Sequence, residues 1–259
     1  MTKKPDERGL IKMTRQPIIV VTKTDPINHL DGMGLPQDRH ALTTAMDFTF
    51  SNRIWLGPEA VLSEVIQRLS EKIGAPPTWS EVRGYIKAMR KSDRAMMAYL
   101  ASLEIKIGLL IRAMRESVNC RRGLDLRSTI GFHRIIELPL DWPAEVRRFH
   151  VQHILSWEFH FRRAWFATLT EEEIQKVPFA VFVIDDGHEY FCEEMQQTRR
   201  ESLPPFYELF TGARAYKMAF IIATHTPEGL SKVLWGCHGT TLSLRLVNQL
   251  GRNRVAEVL

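Results

Sequence analysis

Short runs of β-branched and aromatic residues constrain this chain more than anything else in it: IIVV from Ile18, RIIEL from Arg134, FAVFVI from Phe179 and MAFII from Met218. Their apolar residues are mostly consecutive instead of alternating, the pattern of a strand covered on both faces. Helical patterns separate them. Strands alternating with helices build βαβ units, so the chain belongs to the α/β class with a mostly parallel sheet. The run TTLSLRLV, Thr240 to Val247, is predicted to be the final strand.

The stretch between the first two strands is helical. Pro58 sits in the first turn of a helix that Gly74 ends, and Thr78 with Glu81 has the spacing of a capping box for a second helix to about Lys91. Ser92 caps a third, whose Met96, Leu100, Leu103, Ile107, Leu110 and Met114 recur at three and four residues and read as core. Residues 58–118 are therefore expected to be a helical insertion into a core made of 1–57 and 119–259, with 27–52 a loop. Further on, a helix from Trp142 to about Phe166 precedes a second capping box at Thr170 and Glu173.

The 259 residues carry a formal charge of +5, which is compatible with nucleic acid but shared by many other proteins. Cys120, Cys192 and Cys237 are odd in number and widely spaced, so neither a disulfide framework nor a zinc ribbon is expected, and a reducing, cytoplasmic setting fits best. No apolar run reaches the length of a membrane span or a signal peptide.

The third run ends in Asp185 and Asp186, then Gly187, His188 and Glu189. Open α/β sheets place ligands at the carboxyl ends of their strands. Adjacent carboxylates there are costly unless a cation or hydrogen-bond donors meet them. One reading is a hydrated Mg²⁺ on Asp185, with Asp186 orienting or deprotonating a water that attacks a nucleotide phosphate. The other is a strand-end turn in which Asp185 caps the next helix at Gly187. The fourth run ends in Thr224, His225 and Thr226, polar groups at the same edge, and Arg245 inside the last run needs an anion if that strand is buried.

FVIDDGHEYF, AFIIATHTPEGLSKVLWGCHGTTLSLRLV, IIVVTKTDP and the strand-plus-helix stretch from Val118 to Arg163 together resemble the HerA/FtsK-type P-loop ATPases, in particular the HerA-like and conjugative-transfer branch. The resemblance runs from about Gln16 to Leu259. It implies a RecA-like P-loop NTPase core, incomplete at its N-terminal side, with ATP and Mg²⁺ as cofactors. It also implies DNA as partner, a homo-hexameric ring, and a nuclease or transfer apparatus as further partner. By the same resemblance Asp185 binds Mg²⁺, Asp186, His225 and Arg245 are catalytic, and Thr224, Arg252 and Arg254 contact nucleotide.

Three departures accompany it. Asp186 stands where the family commonly has glutamate, and His225 where it commonly has glutamine. Moreover G-x-x-x-x-G-K-[ST] does not occur, and the sequence has no Gly-Lys pair. Without that loop the backbone N–H groups and lysine that cradle β- and γ-phosphates are missing. We expect the chain to start downstream of the loop, to hydrolyse no ATP alone, and, where the loop's strand would stand between the sensor and final strands, to close the gap, splay open or be poorly folded alone.

A degenerate ATPase-fold subunit that binds DNA or a partner motor is the alternative. A metal-dependent phosphodiesterase using Asp185 and Asp186 with nearby histidines is a third reading. His188 with Cys192, on one helix face, and Cys237 with His238 are conceivable metal pairs, though ordinary packing is the plainer account. His150, His153 and His160 are expected to pack or face solvent, and Arg121, Arg122 and Arg127 to form a solvated loop or a DNA contact.

Overall fold

The computed structural model describes residues 18–21, 28–30, 42, 45–46, 57–92, 97–115, 118–123, 133–192, 205–237, 239–244, 246 and 248–256. Strand β1, Ile18–Val21, is followed by helices α1, Gly57–Ile73, α2, Trp79–Ser92, and α3, Met97–Met114. Strand β2, His133–Ile136, leads into the long helix α4, Ala144–Phe166, and the short α5, Glu171–Lys176. Then come β3, Ala180–Ile184, α6, Pro205–Gly212, β4, Met218–Ile222, α7, Lys232–Cys237, and α8, Gln249–Ala256.

Most local signals act as expected, but Ser92 ends α2 instead of capping α3, which begins at Met97. Thr78 and Glu81 close a capping box, with Glu81 Oε2 accepting from the Thr78 N–H at 2.8 Å, and Thr170 and Glu173 close the other. In α3 the buried residues Leu100, Leu103, Ile107, Leu110 and Met114 follow the anticipated stripe. They pack with Leu62, Val65 and Ile66 of α1 and with Trp79, Val82 and Ile86 of α2.

Among the described residues two large apolar cores result, with a small third around Ile154 and Trp157, and α4 takes part in all of them. Val146 and Phe149 near its start join the core of α1, α2 and α3. Leu155 and Phe159, further along, join Phe191, Phe206, Leu209, Met218 and Leu234 around β3 and β4. Charge buried within such a helix must be paired. Glu158, 1% exposed, accepts from Arg162 Nε at 2.7 Å and from Arg134 of β2 at 3.4 Å. Arg162 also donates to the Pro178 and Tyr216 carbonyls, tying α4 to the chain entering β3 and β4.

Several expectations need correction. The stretch 27–52 is not simply loop: Leu42, Ala45 and Met46 are helical and, with Leu30, lie in the first core. Among the described residues the strands form two separate parallel pairs, β1 with β2 and β3 with β4, instead of one continuous sheet. Of the expected final strand, the described residues 240–244 and 246 belong to no strand, and Leu242 and Leu244 are 89% and 81% exposed. The reason is backbone pairing. A strand is stable only against a hydrogen-bonded neighbour, and among the described residues this run pairs with none, β4 being paired with β3 alone. Finally, β3 and β4 are covered on one face only. Ala180, Phe182 and Ile184 pack inward with Met218, Phe220 and Ile222, whereas Val181, Val183 and Ile221 are 55%, 72% and 57% exposed.

Candidate functional site at the carboxyl edge of β3 and β4

Parallel pairing in register from Ala180 with Met218 to Ile184 with Ile222 sends both strands out of the sheet at one edge. The ladder continues past their ends, as Ala223 N–H donates to Ile184 O at 2.9 Å and Gly187 N–H to Ala223 O at 2.8 Å. Gly187 is needed for that approach. A β-carbon there would stand 2.2 Å from the Cγ2 methyl of Ile222, a branched group that cannot swing aside.

Asp186 makes the turn in left-handed backbone geometry, φ 52°, ψ 43°, which aspartate tolerates better than most residues. The Asp185 carboxylate accepts from the Asp186 N–H at 3.0 Å. Asp185 remains exposed and does not cap the helical turn as the plainer reading expected: the N-cap position is Asp186, and no side chain caps it. One helical turn comes next, Gly187–Glu189, and α4 holds it from behind. Arg147 pairs with the Glu189 carboxylate at 2.9 Å, Arg148 donates to the Glu189 carbonyl at 2.6 Å, and Gln152 donates to the Tyr190 carbonyl at 3.1 Å.

The loop after β4 comes to the same place. His225 Nδ1 lies 3.2 Å from Asp186 Oδ1, and the His188 and His225 rings meet edge to face with centroids 4.6 Å apart. His188 Nδ1 lies 3.0 Å from the Thr224 hydroxyl, which also accepts from the Thr226 N–H at 3.0 Å. One ligand atom each from Asp186, His188 and His225 lies within 4.8 Å of the other two. The edge is open to water, with the His225 and Asp186 side chains 75% and 41% exposed.

Of the residues singled out in the sequence, Asp185, Asp186, Thr224 and His225 thus share one edge. Arg252 and Arg254 lie on α8, which docks beside the turn Pro227–Gly229 through Asn248, donating to Glu228 at 2.6 Å, and through Gly251. Arg245, Arg127 and His238 lie outside the described residues. His188 and Cys192 do not share a helix face, because the helical turn ends at Glu189 and Cys192 instead bridges to Leu230. Arg121 pairs with Glu81 and donates toward the Pro76 carbonyl at 3.5 Å, while its own carbonyl accepts from Asn28 at 2.8 Å. The part missed was His188 as a partner of Asp186 and His225. Its signal was present in D-x-H at the end of β3 facing T-H-T at the end of β4.

A test of which cofactors these residues fit gives a divided answer. Mg²⁺ asks for oxygen ligands and keeps several waters, so a single exposed carboxylate such as Asp185 is adequate for it. Asp186 with two imidazoles is a mixed nitrogen and oxygen set, which Mg²⁺ does not favour. For a triphosphate the edge offers no glycine-rich loop.

Comparison with solved structures places this arrangement in a known frame. The structure of VirB4 of Thermoanaerobacter pseudethanolicus superposes on 85% of the chain with a TM-score of 0.52, at 11% identity. The fold is VirB4-like. At this identity the likeness bears on fold alone, an α/β fold with parallel strands. The matched region spans 60% of the VirB4 chain. No protein-family model matches the sequence, and no curated relative does. No helix among the described residues is long and apolar enough to cross a membrane.

Proposed function

We propose that this chain carries the Walker B and sensor half of an ATP-hydrolysing motor of the HerA-like or conjugative-transfer type. The observation that carries the reading is the shared edge: two parallel strands bring Asp186 and His225 to 3.2 Å on a VirB4-like fold. In that role Asp185 supplies the carboxylate for hydrated Mg²⁺, which neutralises phosphate charge when bound. Asp186 orients the attacking water and receives its proton at Oδ1 or Oδ2, and His225 hydrogen-bonds a phosphate oxygen. Arg245, Arg252 and Arg254 are the candidates for reaching a nucleotide from a neighbouring subunit of a ring. DNA and a transfer apparatus or nuclease are the partners this class implies, with residues 58–118 as a helical insertion in the core.

The missing phosphate loop shapes the test. The 259-residue chain is expected to hydrolyse ATP at background rate. A chimera that joins the strand, phosphate loop and first helix of a P-loop ATPase of this class ahead of Pro17 should gain Mg²⁺-dependent hydrolysis. Asp186→Asn should lower that rate at least about a hundredfold. A folded chimera that binds Mg·ATP without turning it over would overturn the catalytic reading. It would favour the second one, a non-catalytic ATPase-fold subunit for DNA or a partner motor. Robust hydrolysis by the unextended chain, lost in Asp186→Asn, would refute the account of the loop.

A further inference from the structure

We propose that Asp186, His188 and His225 form a binding site for one divalent first-row transition-metal ion, Zn²⁺ foremost, on the open edge beside β3 and β4. The site needs no nucleotide, and its failure would leave the motor reading standing.

The donor set comes first. Two imidazoles and one carboxylate with solvent on the remaining side are a set that zinc and its neighbours accept, the open positions being filled by water. A tetrahedral ion with bonds of about 2.0–2.1 Å holds its ligand atoms roughly 3.3 Å apart. His225 Nδ1 and Asp186 Oδ1 already stand 3.2 Å apart. All three ligand atoms lie within 4.8 Å, so closing the set asks for about 1.5 Å of movement. His225, three-quarters exposed at the tip of its loop, has the freedom to supply it.

A second observation concerns His188. A ligating histidine is ordinarily oriented by a hydrogen bond from its other ring nitrogen, which sets the tautomer and leaves the metal-facing nitrogen unprotonated. His188 Nδ1 has such a partner in the Thr224 hydroxyl at 3.0 Å. That hydroxyl oxygen is itself fixed by the Thr226 N–H, and it retains a lone pair to accept Nδ1–H. His188 would then present Nε2 to the ion. The base beneath is rigid, since Gly187 is locked to Ala223, Arg148 holds the Glu189 carbonyl and Gln152 the Tyr190 carbonyl. Occupancy would also engage Asp186 and His225, the groups that hydrolysis requires, so ion and water activation would exclude one another.

The experiment is a titration of the intact chain with Co²⁺, followed by visible absorption. One Co²⁺ should bind with ligand-field bands of a four- or five-coordinate nitrogen and oxygen site and without thiolate charge-transfer bands. Stoichiometric Zn²⁺ should displace it, whereas about a thousandfold excess of Mg²⁺ should not. His188→Gln and His225→Gln should each weaken binding at least about thirtyfold, and Thr224→Val, which removes no ligand, about tenfold. Cys192→Ser and Cys237→Ser should bind as the unaltered chain does. Binding that survives His188→Gln and His225→Gln together, or that falls in the cysteine variants, would overturn the proposal, as would no binding at all. Should His188→Gln unfold the turn, His225→Gln decides alone, because its exposed side chain bears little on folding.

Discussion

Gly187 shows how one residue sets the spacing of the whole edge. Its missing side chain lets the turn after β3 lie against Ile222, so that Asp186 and His225 meet. Gly187→Ala forces a methyl group into a 2.2 Å contact, and the Gly187–Ala223 hydrogen bond must lengthen as the turn backs away. Overpacking of this kind costs about 1–3 kcal/mol. Urea unfolding should show that loss, together with weaker Co²⁺ binding as Asp186 moves off His225. A change below about 0.5 kcal/mol would mean that the turn yields without cost. Asp186→Asn, by contrast, should leave folding intact, since asparagine accepts left-handed geometry as readily.

Among the elements, α4 is where apolar pattern was a good guide to location and a poor one to chemistry. Its helical period and the strand before it were readable from spacing, and so were both capping boxes, because these depend on residues three or four apart. The buried Glu158, Arg162 and Arg134 network was not, since nothing local tells a solvent-facing i,i+4 pair from one enclosed by β2, the Pro178 carbonyl and the Tyr216 carbonyl. The same limit explains the lost final strand. TTLSLRLV has the residues of a strand, yet a strand exists by virtue of a neighbour that the run itself does not specify. At the site, the acids and Thr224 with His225 were legible as strand-end polar groups, while His188 joined them only through the fold. Burial makes a sharp prediction for α4. Glu158→Ala leaves Arg162 enclosed without its carboxylate and should destabilise by about 3–5 kcal/mol. Glu208→Ala breaks an ion pair with Arg163 of similar geometry, 2.6 Å long, but both partners are more than half exposed, and thermal unfolding should find about 0–1 kcal/mol.

For the molecule as a whole, stability should depend on pH through a histidine cluster that joins distant segments. His29 Nε2 meets His150 Nδ1 at 3.1 Å, and the His29 ring lies 4.9 Å from that of His153 and 5.0 Å from that of Phe149. Trp79 and Trp142 complete the surroundings. All three histidines are buried; His150 and His153, with His160, are expected from the sequence to pack partly buried or at the surface, and the structure buries them more fully than that. Burial pushes His150 from an ordinary 6.5 down to about 4 and His153 down to about 3, with the neighbouring His150 adding to the latter. Burial first, and His153 and His150 next, hold His29 well below the usual range. Each folded value is below the unfolded one, so on acidification the unfolded chain takes up protons first. The contribution to stability is complete above about pH 6.5 and is lost as pH falls toward the folded values. Each histidine removes up to about 1.4 kcal/mol per pH unit across that window, and the three together up to about 4. Carboxylates titrate mostly below about pH 5, so between about pH 6 and 5 the histidines should dominate. Urea midpoints measured from pH 8 to pH 5 should be flat above about 6.5 and fall steeply beneath. In His153→Met, which keeps the volume without the titrating ring, the slope should lessen by about a third. A midpoint constant down to pH 5 would show that the cluster opens to water and protonates in the folded chain.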